Sequence, residues 1–248
     1  MESRSRIAVV TGGMGGIGTA ISQRLYKEGF KVIVGCSANS GRKDDWMATQ
    51  LAAGYRFDCV ETDITDWEST RKAFEMVREH FGPIDVLVNN AGITRDASFR
   101  KLTPEDWNAV IGTNLNSLFN TSKQVIEGML SKGWGRIINI SSINGQRGQF
   151  GQTNYSAAKA GIHGFTMALA REVSGKGVTV NTVSPGYIQT DMTAAIRKDI
   201  LDGMIAGIPV GRLGQPDEIA SIVAWLASDE SAYSTGADFS VNGGMNMQ

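Results

Sequence analysis

Tyr155 and Lys159 stand four residues apart in a stretch with helical spacing, so both project from one helix face. A phenol near pKa ~10 is a poor acid–base catalyst at neutral pH. An ammonium beside it stabilises the phenolate and moves the phenol toward its working range. Ser142 lies upstream of Tyr155, just past the apolar run Ile138-Asn139-Ile140-Ser141. From there its hydroxyl could donate a hydrogen bond to a substrate carbonyl beside the tyrosine. A Tyr-x-x-x-Lys pair alone is common on protein surfaces, so its meaning depends on the elements that position it.

A glycine-rich loop supplies the first such context. A β-branched run ends in Thr11-Gly12-Gly13-Met14-Gly15-Gly16-Ile17-Gly18, and a helical pattern begins at once. Five glycines within seven residues exceed what a plain strand-to-helix turn needs. They let the backbone turn tightly and approach a pyrophosphate, while the helix N-terminus offers free N–H groups and a favourable dipole. The spacing Gly12-x-x-x-Gly16-x-Gly18 differs from the commoner G-x-G-x-x-G. Gly12, Met14, Gly15, Gly16, Ile17 and Gly18 are the expected dinucleotide cradle.

The end of the second strand bears on which dinucleotide binds. An acid about 20 residues past the loop would hold a ribose 2′-hydroxyl. Residues 35–41 read GCSANSG, hold no acid, and are followed by Arg42-Lys43. Ser37, Ser40, Arg42 and Lys43 suit a 2′-phosphate, which a guanidinium grips with its planar fork. NADPH (or NADP) is therefore the expected cofactor, with Asp44 and Asp45 weakening the local field.

Short β-branched runs alternate with longer amphipathic stretches throughout. Expected strands are 7–11, 31–36, 56–62, 86–89, 136–141, 178–184 and 238–241. Most are near-continuous apolar runs, the pattern of strands covered on both faces. Helical patterns occupy 17–28, 42–53, 67–81, 103–131, 155–175, 193–207 and 216–227. This order predicts an α/β fold, a doubly wound parallel sheet of about seven strands. With no linker, repeat or low-complexity tract, residues 1–248 read as a single domain, its cofactor part about 1–140 and its catalytic and substrate part about 141–248. Thr103-Pro104-Glu105-Asp106 has the order of an N-cap, a first-position proline and first-turn acids. Residues 187–214 mix helical spacing with Gly203, Gly207, Pro209 and Gly211, as a mobile lid would.

Composition excludes several classes. The 248 residues carry 24 basic and 25 acidic side chains, so no global charge draws the chain to nucleic acid or acidic membranes. No uninterrupted apolar run of about 18 residues exists to span a bilayer, and the N-terminus lacks the apolar core of a secretion signal. Cys36, Cys59, His80 and His163 make neither a disulfide framework nor a metal site by spacing. The cysteines read as small buried hydrophobes and His163 as structural. A reduced, cytoplasmic setting is expected.

Together these motifs resemble the short-chain dehydrogenase/reductase family. The matching pieces are TGGMGGIG (11–18), Asp63-Ile64, NNAG (89–92), Asn114, Ser142, Tyr155-Ser156-Ala157-Ala158-Lys159, Asn181, Pro185-Gly186 and Asn242-Gly243-Gly244, spread along the whole chain. WGRIINISSINGQRGQFGQTNYSAAKAG (134–161), GGMGG and GADFSVNGG (236–244) are most similar to the branch that reduces acetoacetyl-CoA for polyhydroxybutyrate synthesis. The next likeness is to the branch acting on 3-oxoacyl-carrier-protein thioesters.

The resemblance implies a Rossmann-type fold and an oxidoreductase yielding an (R)-3-hydroxyacyl thioester. Tyr155 would give a proton to the 3-oxo oxygen as hydride arrives from the nicotinamide. Lys159 would lower the tyrosine pKa and hold the nicotinamide ribose, Ser142 would polarise the carbonyl, and Asn114 would bind a water relaying protons from solvent to Lys159. Asn90, Ala91 and Gly92 would line the adenosine and ribose path, Asp63 and Ile64 would contact adenine, and Pro185, Gly186, Ile188 and Thr190 would hold the nicotinamide amide. Family members are usually homotetramers, with the Asn114 and Tyr155 helices at one interface and the C-terminal strand at another. One departure is Gly15, where NADP-using relatives often carry Arg or Lys.

On the substrate side, Gln149, Phe150 and Gln152 lie between Ser142 and Tyr155 and should face the acyl group. Gln149 and Gln152 are polar but uncharged, which fits a short neutral acyl chain. Tyr187 could stack on the adenine of coenzyme A, and Asp96, Arg100 and Lys101 could border the pantetheine entrance. An acidic carrier protein would call for a basic patch. Relatives of that branch carry basic residues at the positions of Gly133 and Lys176, and only Lys176 is basic here. A catalytically idle nucleotide-binding or scaffold protein is the remote alternative, opposed by the intact Asn114, Ser142, Tyr155 and Lys159.

Overall fold

Residues 5–37, 41–190 and 197–247 are described by a computed structural model. Seven strands form one sheet, all parallel: β1 (Ile7–Thr11), β2 (Lys31–Cys36), β3 (Asp58–Glu61), β4 (Val86–Asn89), β5 (Gly135–Ile140), β6 (Val178–Pro185) and β7 (Asp238–Val241). Their order is β3-β2-β1-β4-β5-β6-β7. The chain winds outward from β1 in one direction, then returns to β4 and winds outward in the other. The ends of β1 and β4 thus mark the switch point at which ligands of such sheets bind.

The apolar runs are strands because both faces of the sheet are covered. Ala8, Val10, Val32, Val34, Val86, Val88 and Ile138 pack with residues of α1 (Gly16–Lys27) on one face. Trp46 and Met47 of α2 (Lys43–Ala52) lie against the same cluster. Ile7, Val9, Ile33, Leu87, Ile137 and Val180 point the other way, toward Phe74 and Val77 of α3 (Trp67–Phe81). Alternate residues of each strand therefore feed two separate cores.

Between β4 and β5 lie α4 (Pro104–Ile111) and α5 (Ser117–Lys132). Thr103 caps α4 as its sequence predicts, its hydroxyl accepting the Asp106 N–H at 3.1 Å. The single helix expected over 103–131 is interrupted by a π-helical turn, Gly112–Asn116. Such turns insert a residue and re-aim the side chains around them. The short α6 (Ile143–Arg147), capped by Ser142, was not foreseen. It leads into α7 (Thr153–Val173), which carries Tyr155 and Lys159. Beyond β6 come α8 (Lys198–Ala206) and α9 (Pro216–Ala227). α9 joins α1 on the first face through Ile219, Val223 and Leu226, and α5 and α7 join α3 on the other through Val125, Met129, Ala170 and Val173. Among the described residues, no helix is long and apolar enough to cross a membrane.

Candidate active site

The NNAG segment latches the two switch-point strands together. The Asn90 N–H donates to Thr11 Oγ1 at 3.1 Å, and its Nδ2 to the Thr11 and Gly12 carbonyls, both at 3.0 Å. The Ala91 N–H donates to the same Thr11 hydroxyl at 3.1 Å. Gly12 has φ +60°, and a Cβ there would lie 2.8 Å from Ala91 Cα, so conformation and space both demand glycine. A Cβ on Gly18 would come within 2.3 Å of the Gly12 carbonyl oxygen, and one on Gly16 within 2.9 Å of Thr190 Cγ2. The 185–190 segment is thereby brought against the glycine loop. α1 starts at exposed Gly15 and Gly16 with no capping side chain and no acid in its first turn. Its N–H groups and positive dipole end are open to an anion. Met14 and Ile17 are half-buried beside that opening and pack against the core.

At the end of β2, Ser37 and Arg42 are exposed. Lys43 is not free: its Nζ donates to Glu61 Oε1 at 2.5 Å, and this pairing raises its pKa. Of the expected pair of cations, Arg42 stands exposed and Lys43 carries an exposed ion pair to an acid. Ser40 lies outside the described residues. Asp63 holds its own turn, its Oδ1 accepting from the Thr65 N–H at 2.9 Å and hydroxyl at 2.7 Å. The Ile64 carbonyl accepts from Asn120 Nδ2 at 2.9 Å.

The four catalytic candidates converge beside Gly92. A Cβ on Gly92 would lie 3.3 Å from Asn114 Oδ1 and 3.6 Å from Lys159 Nζ. The π-helical turn carries Asn114, which is fully buried and clasps the Ile93 backbone: Oδ1 accepts from the N–H and Nδ2 donates to the carbonyl, both at 2.8 Å. Lys159 is buried, donates to the Ile140 carbonyl at 2.8 Å, and has its Nζ 5.6 Å from the Tyr155 ring centre. Burial pushes its pKa down to about 8. Ser142 hydrogen-bonds Tyr155, while its Oγ accepts the Asn144 N–H at 3.1 Å.

The Tyr155 phenol is shifted opposite to expectation. Burial raises its pKa, the Ser142 hydrogen bond lowers it by less, and the Asp96 charge raises it again. Desolvation of the phenolate outweighs local help, so the group stands protonated at neutral pH.

A second chain of contacts reaches the expected substrate side. Asn144 Nδ2 donates to Gln152 Oε1 at 2.9 Å, and Gln152 Nε2 donates to Asp96 Oδ2 at 2.8 Å. The β4–α4 and α6–α7 loops also pair through the Ala97 N–H and the Gly151 carbonyl at 2.9 Å. Asp96, Gln152, Ser142 and Tyr155 are therefore one constellation. Gln149 and Phe150 are exposed on the same loop, and Tyr187 is half-buried, its carbonyl accepting the Gly214 N–H at 2.9 Å. Arg100 and Lys101 sit exposed in the turn before α4. Ile188 is buried and bridges to Gly214, and the Gly186 N–H donates to the Val241 carbonyl at 2.9 Å, joining the ends of β6 and β7 after Pro185. His163 is structural, with Nε2 3.1 Å from Ser141 Oγ and Nδ1 3.3 Å from Asp238. Asn144 was missed: nothing in its spacing sets it apart, and only the fold gives it Gln152.

A family model for short chain dehydrogenases matches residues 6–201. The chain belongs to the short-chain dehydrogenase family. Within that family, it is 66% identical over 242 residues to an acetoacetyl-CoA reductase of Cupriavidus necator, covering 98% of each chain. It is 54% identical over 244 residues to an acetoacetyl-CoA reductase of Allochromatium vinosum, covering 98% of this chain and 99% of that one. A 3-oxoacyl-[acyl-carrier-protein] reductase FabG of Salmonella typhimurium is 47% identical over 247 residues, covering all of both chains.

Proposed function

We propose that this short-chain dehydrogenase reduces acetoacetyl-CoA to (R)-3-hydroxybutyryl-CoA with NADPH, supplying precursor for polyhydroxybutyrate synthesis. The observation that carries the reading is the convergence of Tyr155, Ser142, Lys159 and Asn114 beside Gly92, one strand end from the glycine loop. The named acetoacetyl-CoA reductases among its relatives supply the substrate class.

The residues present fit a dinucleotide. Glycines at 12, 16 and 18 let the loop pack closely against Ala91, Thr190 and the Gly12 carbonyl with no side chain in the way, and the uncapped start of α1 at exposed Gly15 and Gly16 suits a pyrophosphate. Gly12, Met14, Gly15, Gly16, Ile17 and Gly18 would hold the phosphates, Asp63 and Ile64 the adenine, and Asn90, Ala91 and Gly92 the adenosine side. Pro185, Gly186, Ile188 and Thr190 would hold the carboxamide, and Arg42 with Ser37 the 2′-phosphate. When bound, the nicotinamide supplies the hydride.

The chain's own residues manage the proton. Tyr155, protonated at neutral pH, donates its hydroxyl proton to the 3-oxo oxygen as negative charge develops there. Ser142 donates a hydrogen bond to the same oxygen. The Lys159 ammonium, charged below about pH 8, stabilises the phenolate left behind and holds the nicotinamide ribose. Asn114 fixes the Ile93 backbone beside Lys159 and orders the water through which the proton is replaced. Asp96 and Gln152 present polar atoms to the thioester side, with Gln149, Phe150, Tyr187 and Lys101 at the entrance.

The same reading gives a cytoplasmic homotetramer joined through α5 and α7 on one side and β7 on another. Phe119 on α5 and Met167 on α7 are large exposed apolar residues that suit such contacts. Light scattering would report the tetramer mass.

Initial rates with acetoacetyl-CoA and acetoacetyl-carrier protein, each with NADPH and NADH, test the reading. The expected result is a clear preference for the CoA ester with NADPH. A preference for the carrier protein would move the enzyme to fatty-acid synthesis.

A further inference from the structure

The two cysteines of the chain meet beside the expected 2′-phosphate pocket. Cys36 ends β2 and Cys59 lies on β3, with the strands paired Val34 to Cys59 and Cys36 to Glu61. Side chains alternate along a strand, so both cysteines point from one face of the sheet. Their sulfurs are 3.0 Å apart. A disulfide needs about 2.05 Å between sulfurs, so closure takes a movement of about 1 Å. β3 can make that movement. It is four residues long and forms the sheet edge, with β2 as its sole strand neighbour among the described residues. Cys36 is buried, but Cys59 is half-exposed and reachable by a small oxidant.

We propose that Cys36 and Cys59 form a reversible intramolecular disulfide that weakens NADPH binding. The oxidant is a hydroperoxide. The Cys59 sulfur attacks one peroxide oxygen, the O–O bond breaks, and with hydrogen peroxide the products are a sulfenic acid and water. The Cys36 sulfur then displaces that hydroxyl, which leaves as a second water with the Cys36 proton. Two thiols lose two electrons and two protons in all, and one peroxide becomes two waters. Burial and the adjoining Cys36 raise the Cys59 thiol pKa, opposed by the nearby Lys43 charge. The pair therefore stays reduced until a hydroperoxide is present in excess.

The consequence for binding follows from position and rests on the cofactor reading above. The Cys36 carbonyl accepts the Thr62 N–H at 2.9 Å, and the Gly35 carbonyl accepts the Gly13 N–H at 3.2 Å. Lys43, at the start of α2, pairs with Glu61 at the end of β3. Closure therefore moves β3 together with the Asp63-Ile64 segment that follows it, and any share taken up by Cys36 shifts Ser37 and the glycine loop. Tyr155 and Lys159 sit beyond β1 and β4, on the far half of the sheet.

Reduced full-length enzyme treated with hydrogen peroxide tests the proposal. Thiol titration should fall from two per chain to none, and the denatured, unreduced monomer should lose about 2 Da. KM for NADPH should rise several-fold with kcat little changed, and dithiothreitol should restore both. Cys59→Ser should show neither the mass loss nor the reversible KM change. Persistent thiols, a gain of oxygen mass without cross-linking, or cross-linked dimers would overturn the disulfide. The mass loss with an unchanged KM for NADPH would overturn its effect on binding. The mass readout on the wild-type chain needs no variant and no activity, so failure of the disulfide is distinguishable from failure of the functional reading.

Discussion

Replacing Lys159 by methionine should stabilise the protein at neutral pH while abolishing catalysis. Burial lowers the lysine from its ordinary 10.5 to about 8. The folded pKa lies below the unfolded one, so between those values the unfolded chain holds more protons and stability rises with pH. Below about pH 8 both states carry the charge, and its burial costs the fold about 3 kcal/mol relative to a neutral amine. At about pH 9.5 the folded lysine is neutral while the unfolded one is still mostly charged, and the cost falls to about 1 kcal/mol. Methionine removes the charge but forfeits the hydrogen bond to the Ile140 carbonyl, a loss of about 1 kcal/mol. Lys159→Met should then gain about 2 kcal/mol at neutral pH, equivalent to about 4–8 °C in Tm for a chain this size. That gain should all but vanish at about pH 9.5, where the charge cost and the lost hydrogen bond nearly balance. Thermal or urea melts of both proteins at the two pH values measure it. A stability difference that is independent of pH, or a variant weaker at neutral pH than at alkaline pH, would refute the buried-charge argument.

The remaining expectations concern the chemistry. Tyr155→Phe removes the proton donor alone; turnover should fall by about 10²–10⁴-fold, with NADPH affinity measured by fluorescence titration retained. Arg42→Ala should raise KM for NADPH by about tenfold or more, the worth of a charge-assisted hydrogen bond, and leave KM for NADH nearly unchanged. Equal effects on both would mean that the 2′-phosphate is held elsewhere. The pH profile of acetoacetyl-CoA reduction should decline as pH rises through about 8, because Lys159 then loses the charge that supports the phenolate. An activity that holds level to pH about 10 would assign the limb to the tyrosine instead.

The strands and the glycine loop were legible because their causes are local. A strand covered on both faces is mostly apolar, with its few polar residues hydrogen-bonded, and a backbone approaching another backbone, as Gly12 does Ala91, must be glycine. Motif residues were legible too, since Tyr155 and Lys159 need only one helix to share a face. What depended on tertiary partners was not. The π-helical turn at Asn114 leaves no mark in five residues, and a continuous helix reads the same. The direction of the Tyr155 shift rests on desolvation by the assembled fold, which spacing does not report. The pairing of Lys43 with Glu61 was not legible, because Glu61 lies 18 residues further along, at the end of β3.

The polar residues inside the apolar strands show how the fold holds the site still. Asn89, Asn139 and Thr182 stand in register across β4, β5 and β6. Asn89 Nδ2 donates to Asn139 Oδ1 at 2.9 Å, and Asn139 Nδ2 to Thr166 Oγ1 at 2.9 Å. Thr182 Oγ1 donates to the same Thr166 hydroxyl at 2.8 Å, and Thr121 Oγ1 to Asn89 Oδ1 at 2.7 Å. Thr121 belongs to α5 and Thr166 to α7. An apolar interface would let these helices slide by small amounts at little cost, whereas a buried amide that loses its partner costs about 1–3 kcal/mol. The row therefore fixes α7 along its axis and sideways against β5, and with it the positions of Tyr155 and Lys159. Thr121 does the same for α5, which the π-helical turn joins directly to Asn114. Proton transfer depends on distances within a few tenths of an ångström, and a hydrogen-bonded row just beneath the strand ends supplies that precision where hydrophobic packing alone would not.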